Sequence, residues 1–592
     1  MIKVLLRQVG VYKHVSLLTP LFTSLEVVMD VLIPYMTALL IDNGISKGDM
    51  STTYRYGGLM LLMAAASLLF GILAARCAAK ASTGFAHNIR NALYRSLQRY
   101  AFVDIDHYST PGIITRMTTD VQNLQNAYGQ MLRISVRAPY RLLLSIVMCV
   151  IIDARLSLIF IAATVILAVC LFCIIRRVAK LFALVFEQYD SLNGRVQENV
   201  SAIRLVKAFV REDYETLKFS KAAQQLYRLY LRAESLMALN HPLMNFIVYA
   251  CIIALSWWGA HFIVGGSLTT GELASLFTYV MSILTALMML SMVFVMLTQS
   301  VTSARRVAEM ITHPPSIDDN ATGLDTMADG SITFDRVRFN YHSCGEKATA
   351  GSRKSALFNI SFHIESGETI GIIGGTGSGK STLAMVLCRL YDISSGSIVV
   401  GGADIGSYTL SALRSNIAYV QQQNRLFSGT ILDNLRWGNA SATIVDCRRA
   451  CRIAQAEDFI NEMPKGFDTY IEQGGTNLSG GQRQRLCIAR ALLKQPRILI
   501  LDDATSACDT QTDRSIQTAV REQLNGITKL IIAQRISTVQ HCKRIIVMDN
   551  GGIVGIGSYE ELLKSCTLYK EICELQSQPT GDFDSMKKGG DA

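Results

Sequence analysis

Six apolar runs crowd the first half of the chain: Val15 to Ile41, Gly57 to Ala75, Ile134 to Ile152, Leu156 to Ile175, Pro242 to Val264 and Leu273 to Leu297. Each is close to the roughly 20 residues a helix needs to cross the hydrocarbon core of a bilayer. One such run alone would suit a buried helix of a soluble domain, but six before a polar second half predict a membrane domain of six helices. The length of 592 residues and the hydrophobic share of 50% agree, because both exceed what one soluble core uses. Met1 to Lys13 places Lys3, Arg7 and Lys13 among Ile2, Val4, Leu5, Leu6 and Val9. No small-residue cleavage site follows, and Glu26 and Asp30 interrupt the next run, so an interfacial amphipathic helix is expected rather than a removed leader.

The formal charge of +10 is unevenly spread. Lys80, Arg90, Arg95, Arg99 and Arg116 crowd one loop, and Arg176, Arg177, Lys180, Arg195, Arg204, Lys207 and Arg211 crowd another. The loops on the opposite side, 42–55, 153–155 and 265–272, are short and poor in such residues. This asymmetry predicts basic loops and both termini on the cytoplasmic side of a cell membrane, with lipid rather than nucleic acid as the partner. The fourteen cysteines are scattered and suit reduced thiols better than a disulfide framework or a zinc site.

Between the second and third runs, and again between the fourth and fifth, lie long polar helical patterns, interrupted mainly at "STPG", Ser109 to Gly112. Some 25 residues of helix would project roughly 35 Å beyond the membrane. The domain expectation is a membrane part over 1–311, a linker over 312–330, "THPPSIDDNATGLDTMADG", and an α/β nucleotide-binding domain over 331–576. There short β-rich runs such as "GETIGIIG" and "RILILDD" alternate with helices. Residues 577–592, rich in Gly, Asp and Lys, are expected to be a disordered tail.

"GGTGSGKST", formed by Gly374, Gly375, Thr376, Gly377, Ser378, Gly379, Lys380, Ser381 and Thr382, follows the apolar strand "TIGIIG" and opens the helix "TLAMVLCRL". This is the spacing and the strand-loop-helix setting of a phosphate-binding loop. Its glycines let successive backbone N–H groups turn toward phosphate oxygens, Lys380 reaches the outer phosphates, and Ser381 is placed to ligate Mg²⁺. Asp502, at the end of "RILIL", is the second acid expected to hold that ion. "LSGGQ", made of Leu478, Ser479, Gly480, Gly481 and Gln482, precedes the helix "RQRLCIARALL" and taken alone is only a helix N-cap signal.

Together with the phosphate loop, "LSGGQ" resembles the signature of the ATP-binding cassette (ABC) transporters. The resemblance implies that this signature acts on ATP held by a second subunit. It implies further that Tyr341 in "VRFNY" stacks on adenine, that Gln422 in "VQQQNRLFSG" contacts Mg²⁺, and that "SACD", Ser506 to Asp509, couples the two sites. Phe102 to Val121 and Glu198 to Glu215 are similar to the two cytoplasmic helix-loops of type-IV ABC exporters, which dock on the cassettes. One group of spans and one cassette imply a half-transporter that must dimerise. Two positions depart from the family pattern: Asp503 stands where the catalytic glutamate is expected, and Gln534, in "IIAQRISTV", where the switch histidine is expected. The insertion "HSCGEKATAGSRKSA" after Tyr341 is read as solvated.

In the membrane part, Glu26 and Asp30 share a face of the first span and are candidates for the substrate path, with pairing to arginine as the alternative. Met288, Met292 and Met296 form a stripe on the sixth span that suits varied apolar cargo or ordinary packing. Arg133, Arg137 and Arg141 share a face of the third and suit lipid phosphate, an anionic cargo, or a snorkelling, salt-bridged face. The resulting expectation is an ATP-driven exporter half for small amphipathic, multidrug-like compounds, with a degenerate site of its own and a heterodimer partner. A homodimer with slow hydrolysis, a lipid flippase, a peptide exporter and a non-transporting membrane regulator stand as alternatives.

Overall fold

The computed structural model describes residues 1–341 and 355–577, which form two compact units. The first is Met1–Gln98 with Thr110–His313, and the second joins Arg99–Ser109 to the chain from Pro314 onward. The numbered helices of this half of the chain are α1 (Ile2–Arg7), α2 (Lys13–Leu40), α3 (Met50–Arg99), α4 (Phe102–Tyr108), α5 (Val121–Ile152), α6 (Ala154–Ser201), α7 (Glu212–Ala238), α8 (Asn240–Val264) and α9 (Thr270–Thr312), with short unnumbered helices at Thr110–Thr115 and Ile203–Ala208. Every apolar run falls inside α2, α3, α5, α6, α8 or α9, except Ile41, which begins a π-helical turn after α2. Helix α3 has 50 residues, about 75 Å at the usual rise, so it continues well past any bilayer core.

The helical unit is cored by residues such as Val27, Val31, Leu156, Leu276 and Tyr279. Where lipid replaces water, unmet polar groups are costly, and the described contacts provide partners between helices. Tyr279 donates its hydroxyl to the Val31 carbonyl at 2.7 Å, and Ser275 donates to the Pro34 carbonyl at 2.5 Å, which fastens α9 to α2. Asp42 accepts from the Gly271 amide at 3.0 Å and from the Thr269 hydroxyl at 2.6 Å, capping α9 from the far end of α2. Outward residues of α3 such as Leu61 and Leu62 are exposed and apolar, a surface suited to lipid.

The expected interfacial helix over Met1 to Lys13 is shorter in the structure. Helix α1 stops at Arg7, Gly10 takes φ +52°, and a 3-10 turn over Gly10–Tyr12 leads into α2. Leu5 and Val9 are buried in the helical unit, so the apolar face has a protein partner. Cys170 and Cys173 have CxxC spacing on α6, and among the described residues no cluster of His, Cys, Asp and Glu suits a metal ion.

In the second unit the elements that frame the site are β1 (Ile332–Phe339), β2 (Leu357–Ile364), β3 (Thr369–Gly374), α10 (Lys380–Leu387), β4 (Ser395–Val400), β5 (Ile417–Val420), α11 (Gly480–Leu493), β6 (Ile498–Asp502), α12 (Thr510–Gln523), β7 (Thr528–Ile532), β8 (Arg544–Asp549), β9 (Gly552–Gly557) and α13 (Thr567–Ser577), with shorter helices between them, among them Ile536–Val539. The larger sheet runs β9-β8-β3-β7-β6-β5, with β8, β3, β7, β6 and β5 parallel and β9 antiparallel at the edge. A smaller antiparallel sheet places β1 between β2 and β4. Strands β6 and β7 are buried at every residue, as expected for parallel strands covered on both faces.

Of the expected linker, 312–330, Thr312 ends α9 and residues 314–330 belong to this unit, with Ile317 and Met327 buried and Leu324 bridged to Tyr408. The short helix α4 belongs here too. Its Asp104 accepts from the Ser316 amide at 3.0 Å and from the Ser316 hydroxyl, its Asp106 accepts from the Tyr391 hydroxyl at 2.9 Å, and Val103 packs on the apolar core. Of the insertion after Tyr341 only Ser355 and Ala356 lie within the described residues, and of the expected tail only Ser577, which ends α13.

At the opposite end of the large sheet from the strand C-termini, Glu368 just before β3 takes a two-pronged contact from Arg544, the first residue of β8, at 2.7 and 2.6 Å. The guanidinium holds the buried carboxyl below the usual carboxylate range. A lowered acid stabilises the fold above its unfolded value and stops doing so as pH falls through the folded one. Glu368→Gln is therefore expected to cost the cassette about 2–4 kcal/mol near neutral pH. Thermal unfolding of the full-length protein should show a lower transition for the variant, and the gap to the parent should close below about pH 4.

Candidate nucleotide-binding site

Parallel pairing sets the site. Ile372 of β3 stands opposite Ile532 of β7, and Ile532 opposite Asp502 of β6, so the segments following these three strands emerge side by side. After β3 the chain turns through Gly377 at φ +83° and Gly379 at φ +98° before α10 begins. A Cβ on Gly379 would lie 2.7 Å from the Ala356 carbonyl oxygen, so both backbone shape and space call for glycine there. Lys380 is buried and folds back across the loop, with Nζ donating to the carbonyls of Gly374 at 2.7 Å and Gly375 at 2.8 Å. This fixes a cation at the start of a helix whose N-terminal amides already favour anions.

Asp502 ends β6 and accepts hydrogen bonds from the Tyr419 hydroxyl at 3.0 Å and from the Ser381 hydroxyl. Burial pushes its carboxyl above the usual range, against the pull of those bonds and of Lys380. Asp503 follows with φ +47°, an unusual backbone state for a residue other than glycine. Its Oδ1 accepts from the Gln534 backbone N–H at 3.2 Å, and its own N–H donates to the Ile532 carbonyl at 2.9 Å. Burial, then the charge on Asp502, pushes its carboxyl upward as well. The shortened acid is thus held by the backbone of the loop that follows β7.

A cleft of about 300 Å³ gathers Tyr341, Ser378, Lys380, Ser381, Thr382, Gln422, Asp502, Asp503 and Gln534, with Thr376, Gly377 and Gly379. Gly374 and Gly375 lie at the base of its loop as the carbonyl partners of Lys380. Tyr341 is 45% exposed, and its hydroxyl bonds the Thr382 hydroxyl at 3.1 Å while Phe339 and Tyr391 meet its ring edge to face, so the ring is held with part of its surface open for stacking. Gln422 is exposed at the cleft wall. The signature does not line this cleft. The Ser479 hydroxyl caps α11 by accepting from the Gln482 backbone N–H at 3.2 Å, and the Gln482 Oε1 accepts from the Ser479 backbone N–H at 2.9 Å. Leu478 is buried beneath, and a Cβ on Gly481 would stand 3.0 Å from the Ala507 carbonyl oxygen, which ties the signature closely to "SACD".

Two residues escape sequence reasoning. Tyr419 sits on β5 beside β6, and nothing in its local pattern marks its hydroxyl as a partner of Asp502. Gln484, buried on α11, donates to the Asp503 carbonyl at 3.4 Å and to Ser506 at 3.1 Å, and accepts from the Ala507 amide at 2.8 Å. In the helical unit, Glu26 and Asp30 do come together, but Arg137 takes both, at 3.1 and 3.2 Å, and Ser67 donates to Asp30 at 2.6 Å. They form an ion-paired bridge between α2 and α5. Arg141 donates to Ser282 at 3.4 Å, Met288 and Met292 are exposed, and Met296 is half-buried.

A membrane-spanning helical unit joined to an α/β unit with a phosphate loop, a paired acid and a separate signature helix defines an ATP-powered membrane transporter. The family model for the ABC transporter transmembrane region matches residues 17–297, and that for the ABC transporter matches residues 357–506. The chain is 33% identical over 551 residues to YfiB of Bacillus subtilis (strain 168), an uncharacterized ABC transporter ATP-binding protein, covering 93% of this chain and 94% of that one. It is 33% identical over 491 residues to the ATP-dependent lipid A-core flippase of Desulfotalea psychrophila, covering 83% and 84% respectively. A solved bacterial Atm1-family ABC exporter with ATP bound superposes with a TM-score of 0.83 at 25% identity, covering 96% of this chain and all of that chain. The chain belongs to the ABC transporters. It is an exporter half with one multi-pass membrane domain and one ATP-binding cassette, and such halves function as dimers.

Lys380→Ala removes the cation fixed over the phosphate loop and is expected to weaken ATP binding at this site about tenfold or more. Tyr341→Phe keeps the stacking ring and should stay within about threefold of the parent. Equilibrium binding of a fluorescent ATP analogue to the full-length protein checks both.

Proposed function

We propose that the chain is the degenerate-site subunit of a heterodimeric exporter that uses ATP binding and hydrolysis to move amphipathic compounds out of the cell, with the cassette on the cytoplasmic side. The observation that carries this reading is the pair of substitutions at one site. Asp503 withdraws its carboxylate by about 1.5 Å relative to a glutamate, and a misplacement on the order of 1 Å can cost about a hundredfold in rate. Here that carboxylate also accepts the Gln534 amide, which holds it toward the loop. Gln534 offers no imidazolium charge to a phosphate.

The oxygen donors of Ser381, Asp502 and Gln422 suit a hard divalent cation, and buried Asp502 already draws two hydroxyls toward itself. Mg²⁺ bound there would neutralise phosphate charge, while Lys380, the loop amides and Tyr341 orient the nucleotide. In the short helix Ile203–Ala208 and the turn after it, Leu205, Phe209 and Val210 are 58%, 69% and 81% exposed, an apolar edge suited to docking. This apolar edge lies in the second cytoplasmic loop, which docks on a cassette in type-IV exporters, and it calls for a covering surface. In a head-to-tail pair, "LSGGQ" would complete the partner's site while the partner's signature covers Asp503.

A second reading, a flippase for anionic lipid, draws on the third span. Arg137 satisfies both Glu26 and Asp30, which leaves Arg133 and Arg141 without a carboxylate partner among the described residues. Uncompensated arginine at membrane depth is costly, so an anionic headgroup would find a cation there. Among the relatives, a lipid A-core flippase is 33% identical over 83% of this chain.

In the assembled pair, Asp503→Asn should leave most ATPase activity, whereas Ser479→Arg should nearly abolish it. Steady-state phosphate release by the reconstituted full-length transporter separates these outcomes, and loss of most activity in Asp503→Asn would make Asp503 the working base.

A further inference from the structure

The loop that carries Gln534 is held from two sides. On one side Asp503 accepts the Gln534 N–H. On the other stands Gln576, on the last turn of α13, whose side-chain amide makes two bonds to the loop backbone. Its Nε2 donates to the Gln534 carbonyl at 2.8 Å, and its Oε1 accepts from the Ile536 N–H at 2.9 Å. A primary amide presents one donor and one acceptor side by side, which is what a strand neighbour would offer to the same stretch of backbone. Neither backbone group is paired within the sheet, because β7 stops at Ile532 and the next helix starts at Ile536.

The surroundings make this contact matter. Behind the loop lies a cavity of about 710 Å³ lined by Asp503, Gln534, Gln576, Asp513, Gln517 and Cys573, among others, so side-chain packing fills little of the space there. Helix α13 is itself anchored, since Tyr569 and Ile572 are buried beside Val539, Ile545 and Leu562. Gln576 therefore links a fixed helix to a loop that borders open space on one face and the nucleotide cleft on the other.

We infer that Gln576 is a positioning residue of the nucleotide site, its amide pinning the Gln534–Ile536 backbone so that Gln534 and Asp503 stand at a fixed distance from the outer phosphate. It acts through the loop and touches no nucleotide itself. With the amide gone, the Gln534 N–H and Asp503 would still bond each other, but as a pair free to move into the cavity, and the hydrolytic step would slow while the phosphate loop went on binding ATP. The inference rests on the cassette reading of the site and requires only that the site hydrolyses ATP measurably through Asp503, however slowly.

The purified full-length chain, in which every nucleotide site is this one, provides the test. Gln576→Leu keeps the size of the side chain and removes both bonds, whereas Gln576→Glu keeps the acceptor for Ile536 and loses the donor to Gln534. Hydrogen exchange at the Ile536 amide should quicken about tenfold in Gln576→Leu and stay near the parent in Gln576→Glu. Single-turnover hydrolysis of labelled ATP should slow about tenfold in Gln576→Leu, and less in Gln576→Glu, with ATP affinity within about twofold of the parent. In an Asp503→Ala background, Gln576→Leu should add little further loss. An unchanged Ile536 amide, a quickened amide with an unchanged hydrolysis rate in both variants, or full additivity with Asp503→Ala would overturn the assignment. Loss of ATP affinity in step with rate would reduce Gln576 to a structural role. Failure of the parent itself to bind ATP would instead remove the cassette reading.

Discussion

The site depends on three strands ending at one level. Hydrogen bonding between β3, β7 and β6 fixes Ile372 beside Ile532 and Ile532 beside Asp502, and parallel pairing then delivers three loops to one edge of the sheet. The phosphate loop, the Gln534 loop and the two acids have no other reason to meet, since long stretches of sequence separate them. A slip of one residue in either pairing would turn Asp502 to the other face of the sheet. The complete burial of β6 and β7 makes such a slip costly, because each position is packed on both faces. Chemistry at the cleft is in this sense a consequence of core packing.

The membrane part follows a different rule. Apolar side chains supply little specificity between helices when the surroundings are equally apolar, and polar contacts set the arrangement. Arg137 joins α5 to α2 through two carboxylates, Tyr279 and Ser275 join α9 to α2 through carbonyls, and buried Asp120 takes Arg306 at 2.6 Å and Ser303 at 2.8 Å. The paired state of Glu26 and Asp30 changes what they can offer to cargo. A carboxylate already shared with a guanidinium attracts a passing cation weakly, and the pairing of Glu26 and Asp30 with Arg137 braces two spans against each other.

What could be read from sequence was local. The spans were legible because about 20 apolar residues in a row mean the same thing anywhere in a chain. The phosphate loop, its lysine and the signature were legible because glycine spacing next to a strand or a helix encodes a backbone shape. Glu26 and Asp30 were visible as a pair at helical spacing, but the arginine that claims them lies 107 residues beyond Asp30. Tyr419 was hidden for the same reason, its aspartate being 83 residues away on a neighbouring strand. Gln576 lies 42 residues from Gln534 in a helix whose pattern marks only its apolar face. Residues 312–330 read as a linker from their Pro, Asp and Gly content, yet Ile317 and Met327 within them are buried.

In the proposed heterodimer, Asp503 and Gln534 are the two positions on which the division of labour between the subunits rests. The most direct measurement is the steady-state ATPase rate of the purified full-length chain, alone, with and without Asp503→Glu combined with Gln534→His. The account predicts slow turnover by the parent and a rise of about tenfold or more in the double variant, once a longer carboxylate and an imidazole stand at the outer phosphate. Rapid turnover by the unaltered chain, unimproved by the double change and abolished by Asp503→Asn, would contradict it.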